Sequence, residues 1–130
     1  MSSPVSDIIR YRLQRAREAL DDAEFNLSHG RLNVAANRIY YAMFYGTVAL
    51  LTTKDLGSSS HSGVIALFND NFVKTGLFPR ELSRYLGQAF DMRINTDYRV
   101  AVNVVSAELW QQLEHAQAFI AKVEELIGPA

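Results

Sequence analysis

The sequence predicts an all-α fold, an antiparallel bundle of four to five helices that forms a single domain over residues 1–130. Apolar residues near both ends of the chain recur at alternating spacings of four and three residues, which is the period of an amphipathic helix. A segment between them is apolar on almost every side, as in a helix that is covered all round. Two striped helices flanking such a helix indicate an antiparallel bundle.

The first helix begins near Pro4 or Asp7 and runs to about Ser28. A serine precedes each of these starting points, and a serine hydroxyl can accept a hydrogen bond from a free backbone N–H of the first turn. Gly30 then ends the helix. Its apolar stripe consists of Ile9, Leu13, Ala16, Leu20, Ala23 and Leu27.

The second predicted helix spans roughly Leu32 to Thr53 and supplies the centre of the bundle. A loop from Lys54 to Ser60 follows, because it contains Gly57 and three serines. The third helix covers about His61 to Val73. Its inward-facing residues are Val64, Ile65, Phe68 and Phe72.

Gly76 and Pro79 interrupt the chain, and a short fourth helix is predicted from about Pro79 to Met92. The segment from Ile94 to Val105 contains β-branched residues but has no partner strand, so we interpret it as an irregular connection.

A final helix is predicted from a Ser106 cap to about Ile127, where Gly128 and Pro129 stop it. It repeats the spacing of the first helix. Its stripe consists of Leu109, Leu113, Ala116, Ile120, Val123 and Ile127.

Composition excludes several classes of protein. Hydrophobic residues make up 48% of the chain, too many for a disordered protein. With no cysteine, neither disulfides nor thiolate metal sites are available. The N-terminus lacks the pattern of a signal peptide, and no apolar run reaches the ~18 residues of a membrane span. We therefore expect a cytoplasmic protein that does not enter the membrane.

The net charge of −1 argues against broad electrostatic attraction to nucleic acid. The charges are nevertheless unevenly distributed, since Arg10, Arg12, Arg15 and Arg17 all lie in the first helix. They form either a solvated helix face or a basic rim beside a phosphate site.

Arg93, Asp97 and Tyr98 bring a guanidinium, a carboxylate and a phenol within six positions. An arginine fork suits phosphate or carboxylate groups. The structural alternative is that Arg93 and Asp97 pair with each other, or with neighbours, to hold the chain as it turns.

The segment NRIYYAMF at residues 37–44 resembles the HEPN superfamily (higher eukaryotes and prokaryotes nucleotide-binding), in particular its small stand-alone prokaryotic branch. Three further segments are similar to that branch in the same order. They are HSGV at residues 61–64, FVKTG at 72–76, and RINTDY at 93–98, which matches its arginine-x-x-x-aspartate-tyrosine signature.

The resemblance implies a helical bundle that forms a homodimer, with a cleft at the dimer interface. It also implies a metal-independent RNase, often a toxin whose antitoxin is a small nucleotidyltransferase. Those enzymes carry a histidine after the arginine, with four to six residues between the two. Here Tyr98, Arg99 and Val100 occupy these places, and the next histidine is His115. An acid or base titrating near neutral pH is therefore missing from this position.

Arg38, Tyr41 and His61 are further candidates for phosphate or nucleotide binding. Arg38 lies in the apolar second helix, where it either forms a structural salt bridge, to Asp91 or Asp97, or faces phosphate beside Arg93. His61 is either part of a helix cap or the missing acid or base. A helix start can also attract an anion.

Tyr41 belongs to a set of tyrosines that are either core residues or platforms for stacked bases. This set consists of Tyr40, Tyr41, Tyr45 and Tyr98.

No metal or cofactor is expected, because metal-ligand spacings and Gly-rich phosphate loops are absent from the sequence. The sequence thus predicts a nucleotide or RNA-phosphate binding protein, with metal-independent RNA cleavage by Arg93, Asp97 and Tyr98 as the catalytic form. The alternative is a non-catalytic helical module that docks onto a partner protein.

Overall fold

The computed structural model describes the backbone of residues 3–95 and 102–128, and the side chains of residues 3–92 and 106–128. Within these ranges all regular secondary structure is helical, which confirms the predicted all-α bundle. The helices are α1 (Pro4–Ser28), α2 (Leu32–Thr52), α3 (His61–Phe68), α4 (Arg80–Asn95) and α5 (Val102–Ile127). A π-helical turn, Asn69–Val73, continues α3, so the two together cover the third helix predicted from the sequence.

Ser3 starts α1, as one of the two predicted caps. Its hydroxyl accepts a hydrogen bond from the backbone N–H of Ser6 at 3.1 Å. Pro4 occupies the first helical position, where its missing N–H costs no hydrogen bond.

Gly30 ends α1 with a φ of 71°, a left-handed conformation in which glycine is the favoured residue. Its N–H donates to the Leu27 carbonyl at 3.1 Å, and the Arg31 N–H donates to the Asn26 carbonyl at 2.9 Å. This pair of bonds is a Schellman motif. It reverses the chain within three residues, so α2 returns along α1.

α2 lies at the centre of the bundle and packs against α1, α3, α4 and α5. A Cβ added at Gly46 would lie 2.6 Å from Ile120 Cδ1, so the glycine permits α2 and α5 to approach closely. Both predicted stripes face this core. Their buried members are Ala16, Leu20, Ala23 and Leu27 in α1, and Leu109, Leu113, Ala116, Ile120 and Val123 in α5. The remaining members, Ile9, Leu13 and Ile127, are partly buried.

Two predicted boundaries were wrong. α4 continues to Asn95, which places Arg93 in its last turn instead of beyond it. α5 begins at Val102, so Ser106 lies inside this helix and does not cap it. β-branched residues lower helix propensity by only a fraction of a kcal/mol each, so a run of valines without Gly or Pro does not stop a long helix.

Candidate functional site

Arg38, Tyr41 and His61 come together on one side of α2. Arg38 and Tyr41 lie one turn apart on that helix, and the Arg38 guanidinium carbon is 5.3 Å from the centroid of the Tyr41 ring. His61 opens α3, and its ring centroid lies 5.8 Å from the same tyrosine ring at an angle of 84°. Three residues that the sequence singled out separately therefore meet around a single aromatic ring.

Two neighbours fix the orientation of His61. The hydroxyl of buried Tyr40 and His61 Nδ1 share a hydrogen bond of 2.9 Å. The ring of Phe44 stacks on the imidazole with centroids 4.3 Å apart and an angle of 25°. Because Nδ1 is engaged, Nε2 is the ring nitrogen left to meet a ligand.

Arg38 is held by a neutral group. Its Nε and Nη2 donate to the side-chain oxygen of Asn37 at 3.0 and 2.7 Å. Among the side chains that the structure describes, no carboxylate forms an ion pair with Arg38, and the predicted salt bridge to Asp91 is absent. Within the described side chains, the hydrogen-bond partner of this guanidinium is therefore neutral, and its charge lies beside the Tyr41 ring.

A cavity of about 320 Å³ adjoins His61. Phe44 and Val48 form part of its apolar wall, while Arg12 and the serine loop at residues 58–60 supply polar groups. Ser60 is the N-cap of α3, since its hydroxyl accepts from the Gly63 N–H at 3.0 Å. Ser60 therefore caps α3, and His61, which the sequence offered as part of a cap, is the first residue of the helix.

Arg15 of α1 lies against the tyrosines of α2. Its Nη2 donates to the Tyr45 hydroxyl at 3.2 Å, and its guanidinium carbon lies 5.0 Å from the centroid of the same ring. Its Nη1 donates to the Tyr11 hydroxyl, also at 3.2 Å. The hydrogen bond to Tyr11, followed by electrostatic interaction with Tyr45, raises the pKa of Arg15 above its ordinary value.

The four arginines of α1 divide into two kinds. Arg10 forms an ion pair with Asp7 at 3.2 Å, and Arg17 forms one with Glu124. Arg12 instead donates to the Thr52 hydroxyl at 2.6 Å, and Arg15 to tyrosine hydroxyls. The first pair therefore matches the solvated face that the sequence left as one alternative. The second pair has neutral hydrogen-bond partners among the described side chains.

The sequence did not distinguish Arg12 and Arg15 from the other arginines of α1. The available signal was the placement of Tyr11 and Arg15 four residues apart, which puts them on one face of α1.

The remaining predicted residues cannot be placed in this site. Asp97, Tyr98 and the side chain of Arg93 lie outside the residues that the structure describes. In the described part of the chain, no three His, Asp or Glu side chains form a group that could hold a metal ion. Nor does any described helix have the length and apolar character needed to cross a membrane.

Comparison with known proteins identifies relatives of this chain. The sequence profile of the HEPN domain matches residues 9–129. A UPF0332 protein of Thermotoga maritima is 44% identical over 92% of this chain and 91% of its own length. A Methanocaldococcus jannaschii protein that bears the name "Putative toxin" is 30% identical over 88% of this chain and 78% of its own length. A second protein of that name from the same organism is 30% identical over 75% of this chain and 73% of its own length.

Proposed function

Because the chain belongs to the HEPN domain family, we propose that it binds the phosphate of a nucleotide or RNA beside Arg38, Tyr41 and His61. The observation that carries this proposal is the packing of both Arg38 and His61 against the Tyr41 ring, at 5.3 and 5.8 Å. A fixed guanidinium beside an aromatic ring offers a phosphate partner and a stacking surface together.

The charge of the site favours an anion. Arg38 is oriented by the oxygen of Asn37, which is neutral, so within the described side chains no ion pair of Arg38 has to break when a phosphate binds. Arg12 adds a second guanidinium at the edge of the cavity next to His61. Apolar walls around that cavity lower the local dielectric constant and strengthen such interactions.

Metal-independent cleavage is the reaction that we propose for this site when RNA is bound. The ribose 2′-hydroxyl gives its proton to a base, attacks the adjacent phosphorus and forms a 2′,3′-cyclic phosphate. The 5′-oxygen leaves and takes a proton from solvent, while a guanidinium stabilises the charge that develops on the phosphorane. His61 is the candidate base, through Nε2, because the family's histidine after Arg93 is absent. Arg93, Asp97 and Tyr98 remain proposed catalytic residues on the strength of the sequence signature.

Two relatives named as toxins support a toxin-like role for this chain. In that setting we propose a homodimer whose partner is a nucleotidyltransferase antitoxin. Sedimentation of the purified protein, alone and with a co-expressed nucleotidyltransferase, tests both assemblies.

Binding is tested by calorimetric titration of the purified protein with adenosine 5′-monophosphate. We expect saturable binding that Arg38→Gln weakens by about tenfold or more. Arg31→Gln is the matched control, because Arg31 is exposed just before α2 and does not line the site. Equal affinity in the two variants would contradict the proposed site.

Cleavage is tested separately, with a mixed RNA substrate in EDTA. Activity that is lost in Arg93→Ala and reduced in His61→Ala, with both variants folded, supports the RNase. A folded wild-type protein that neither binds nucleotide nor cleaves RNA would instead favour the non-catalytic docking module.

A further inference from the structure

An unbroken series of ring contacts joins α2 to α1 on the side of the proposed site. The Tyr41 ring carries the Arg38 guanidinium at 5.3 Å and lies 5.6 Å from the Tyr45 ring. The Tyr45 ring in turn carries the Arg15 guanidinium at 5.0 Å. We call these four residues the arginine–tyrosine row, which has a cation at each end and two aromatic rings between them.

The two cations of the row are held in the same way. Arg38 donates to an asparagine oxygen and Arg15 to two tyrosine hydroxyls. Within the described side chains neither forms an ion pair, in contrast to Arg10 and Arg17. Each end of the row therefore presents a guanidinium that is oriented by neutral hydrogen-bond partners among the described side chains.

A nucleoside monophosphate does not account for this arrangement, because its one phosphate group can contact the guanidinium at only one end of the row. Two separated guanidiniums with aromatic rings between them match a chain in which phosphates alternate with bases. Single-stranded nucleic acid is bound in this manner, by cations along its backbone and aromatic faces under its bases. Stacking is largely independent of base identity, since every base has a π-face.

Two carboxylates limit where the strand can lie. Glu18 and Asp22 line a groove of about 410 Å³ between α1 and α2, together with Arg15 and Arg38. Their charges repel a phosphate backbone from this groove. The favourable path therefore follows the tyrosine rings on the α2 side.

From this geometry we infer that the arginine–tyrosine row extends the proposed nucleotide site into a binding surface for single-stranded nucleic acid of at least two nucleotides. This inference rests on the proposed function, since Arg38 and Tyr41 belong to both. It adds Arg15 and Tyr45 as the residues that distinguish an oligonucleotide from a mononucleotide.

The test compares adenosine 5′-monophosphate with fluorescently labelled 2′-O-methyl RNA of two, four and eight nucleotides, by calorimetry and by fluorescence anisotropy. The 2′-O-methyl group prevents cleavage during the measurement. We expect the tetranucleotide to bind about tenfold or more tightly than the mononucleotide. Arg15→Gln should remove this gain, and leave mononucleotide affinity unchanged.

Salt dependence supplies a second readout. Losing one phosphate contact lowers the slope of log affinity against log salt by about 0.7 for a single strand, and we expect that change in Arg15→Gln. Arg10→Gln is the matched control, because Arg10 lies on the same helix but forms an ion pair with Asp7. Equal slopes and affinities in these two variants would overturn the inference.

Variants of Tyr45 keep the test decisive if Arg15→Gln does not fold. Tyr45→Phe retains the ring and should bind the tetranucleotide within about twofold of wild type, whereas Tyr45→Leu should lose about tenfold. Equal binding by the two Tyr45 variants would contradict a stacking role.

The outcomes separate the inference from the proposed function. Mononucleotide binding with no effect of length leaves the proposed function intact and rejects the row. Failure of the wild type to bind any of these probes rejects both. If Arg15→Gln dissociates an oligomer and leaves nucleic-acid binding unchanged, the row is an interface between copies of the chain and the inference is wrong.

Discussion

The Tyr40 hydroxyl and His61 Nδ1 lie 2.9 Å apart, and their hydrogen bond joins the middle of α2 to the first residue of α3. Tyr40 is fully buried, so its hydroxyl contributes to the structure only through such partners. The Phe44 ring on the face of the imidazole completes the support. Packing of the bundle core thus determines the orientation of the His61 ring in the proposed site.

Tyr40→Phe should therefore destabilise the fold and weaken nucleotide binding together. Removing the hydroxyl leaves a half-buried imidazole nitrogen without this partner, at a cost of about 1 kcal/mol in the free energy of unfolding. Urea denaturation measures this change, and titration with adenosine 5′-monophosphate measures the effect on the site. Tyr11→Phe is the control and should change stability by less than about 0.5 kcal/mol, because Tyr11 is exposed.

Arg38→Lys tests whether the shape of the guanidinium matters as well as its charge. Lysine keeps the positive charge but cannot donate twice to the Asn37 oxygen or lie flat against the Tyr41 ring. We expect an affinity for adenosine 5′-monophosphate about tenfold below wild type, with the melting temperature almost unchanged. An affinity equal to that of wild type would show that Arg38 acts only as a point charge.

Helix periodicity accounts for the success of the fold prediction. The stripes of α1 and α5 were identified from spacing alone, and most of the residues that carry them are buried, while those nearest the free ends of the two helices, Ile9, Leu13 and Ile127, are partly buried. The boundary near Ser106 was wrong because a serine is a good cap but is also tolerated inside a helix. The helix propensities of individual residues differ by too little to locate the start of a long helix such as α5.

The candidate site was predicted residue by residue, but its arrangement was not. Arg38, Tyr41 and His61 stood out through the family resemblance and their residue types. Their meeting depends on how α2 rotates against α3, which spacing along one helix does not reveal. The contact between Arg15 and Tyr45 joins residues 30 positions apart on different helices, so the sequence offered only a cluster of arginines and a set of tyrosines.

Gly30→Ala should destabilise the protein by about 1 kcal/mol through backbone conformation alone. The left-handed conformation at this position, with a φ of 71°, disfavours any residue that has a Cβ. An added Cβ meets no atom within 4 Å, so a steric clash does not contribute. Thermal or urea denaturation measures the difference.

Gly57→Ala is the matched control for Gly30→Ala. It also adds a Cβ that meets nothing within 4 Å, but its φ lies outside the left-handed range. We expect its stability to be equal to wild type or slightly higher, since alanine reduces the conformational freedom of the unfolded chain. Equal destabilisation by the two substitutions would contradict the role assigned to the turn after α1.

Asp22→Asn should strengthen the binding of a short single strand to the arginine–tyrosine row. Asp22 lines the groove shared by Arg15 and Arg38, where its charge opposes that of an incoming phosphate. Removing one exposed charge should raise the affinity for the tetranucleotide by about threefold at low salt. The gain should shrink as salt increases, because the ions screen exposed charges beyond roughly 10 Å at 0.1 M.

Asp21→Asn separates this local effect from the change in net charge. Asp21 is also exposed on α1 but does not line the groove. Both variants change the net charge by the same amount, so a general electrostatic effect predicts equal gains in anisotropy titrations. A larger gain for Asp22→Asn places the strand close to the α2 side of this groove, as the arginine–tyrosine row requires, whereas equal gains would mean that the strand passes elsewhere.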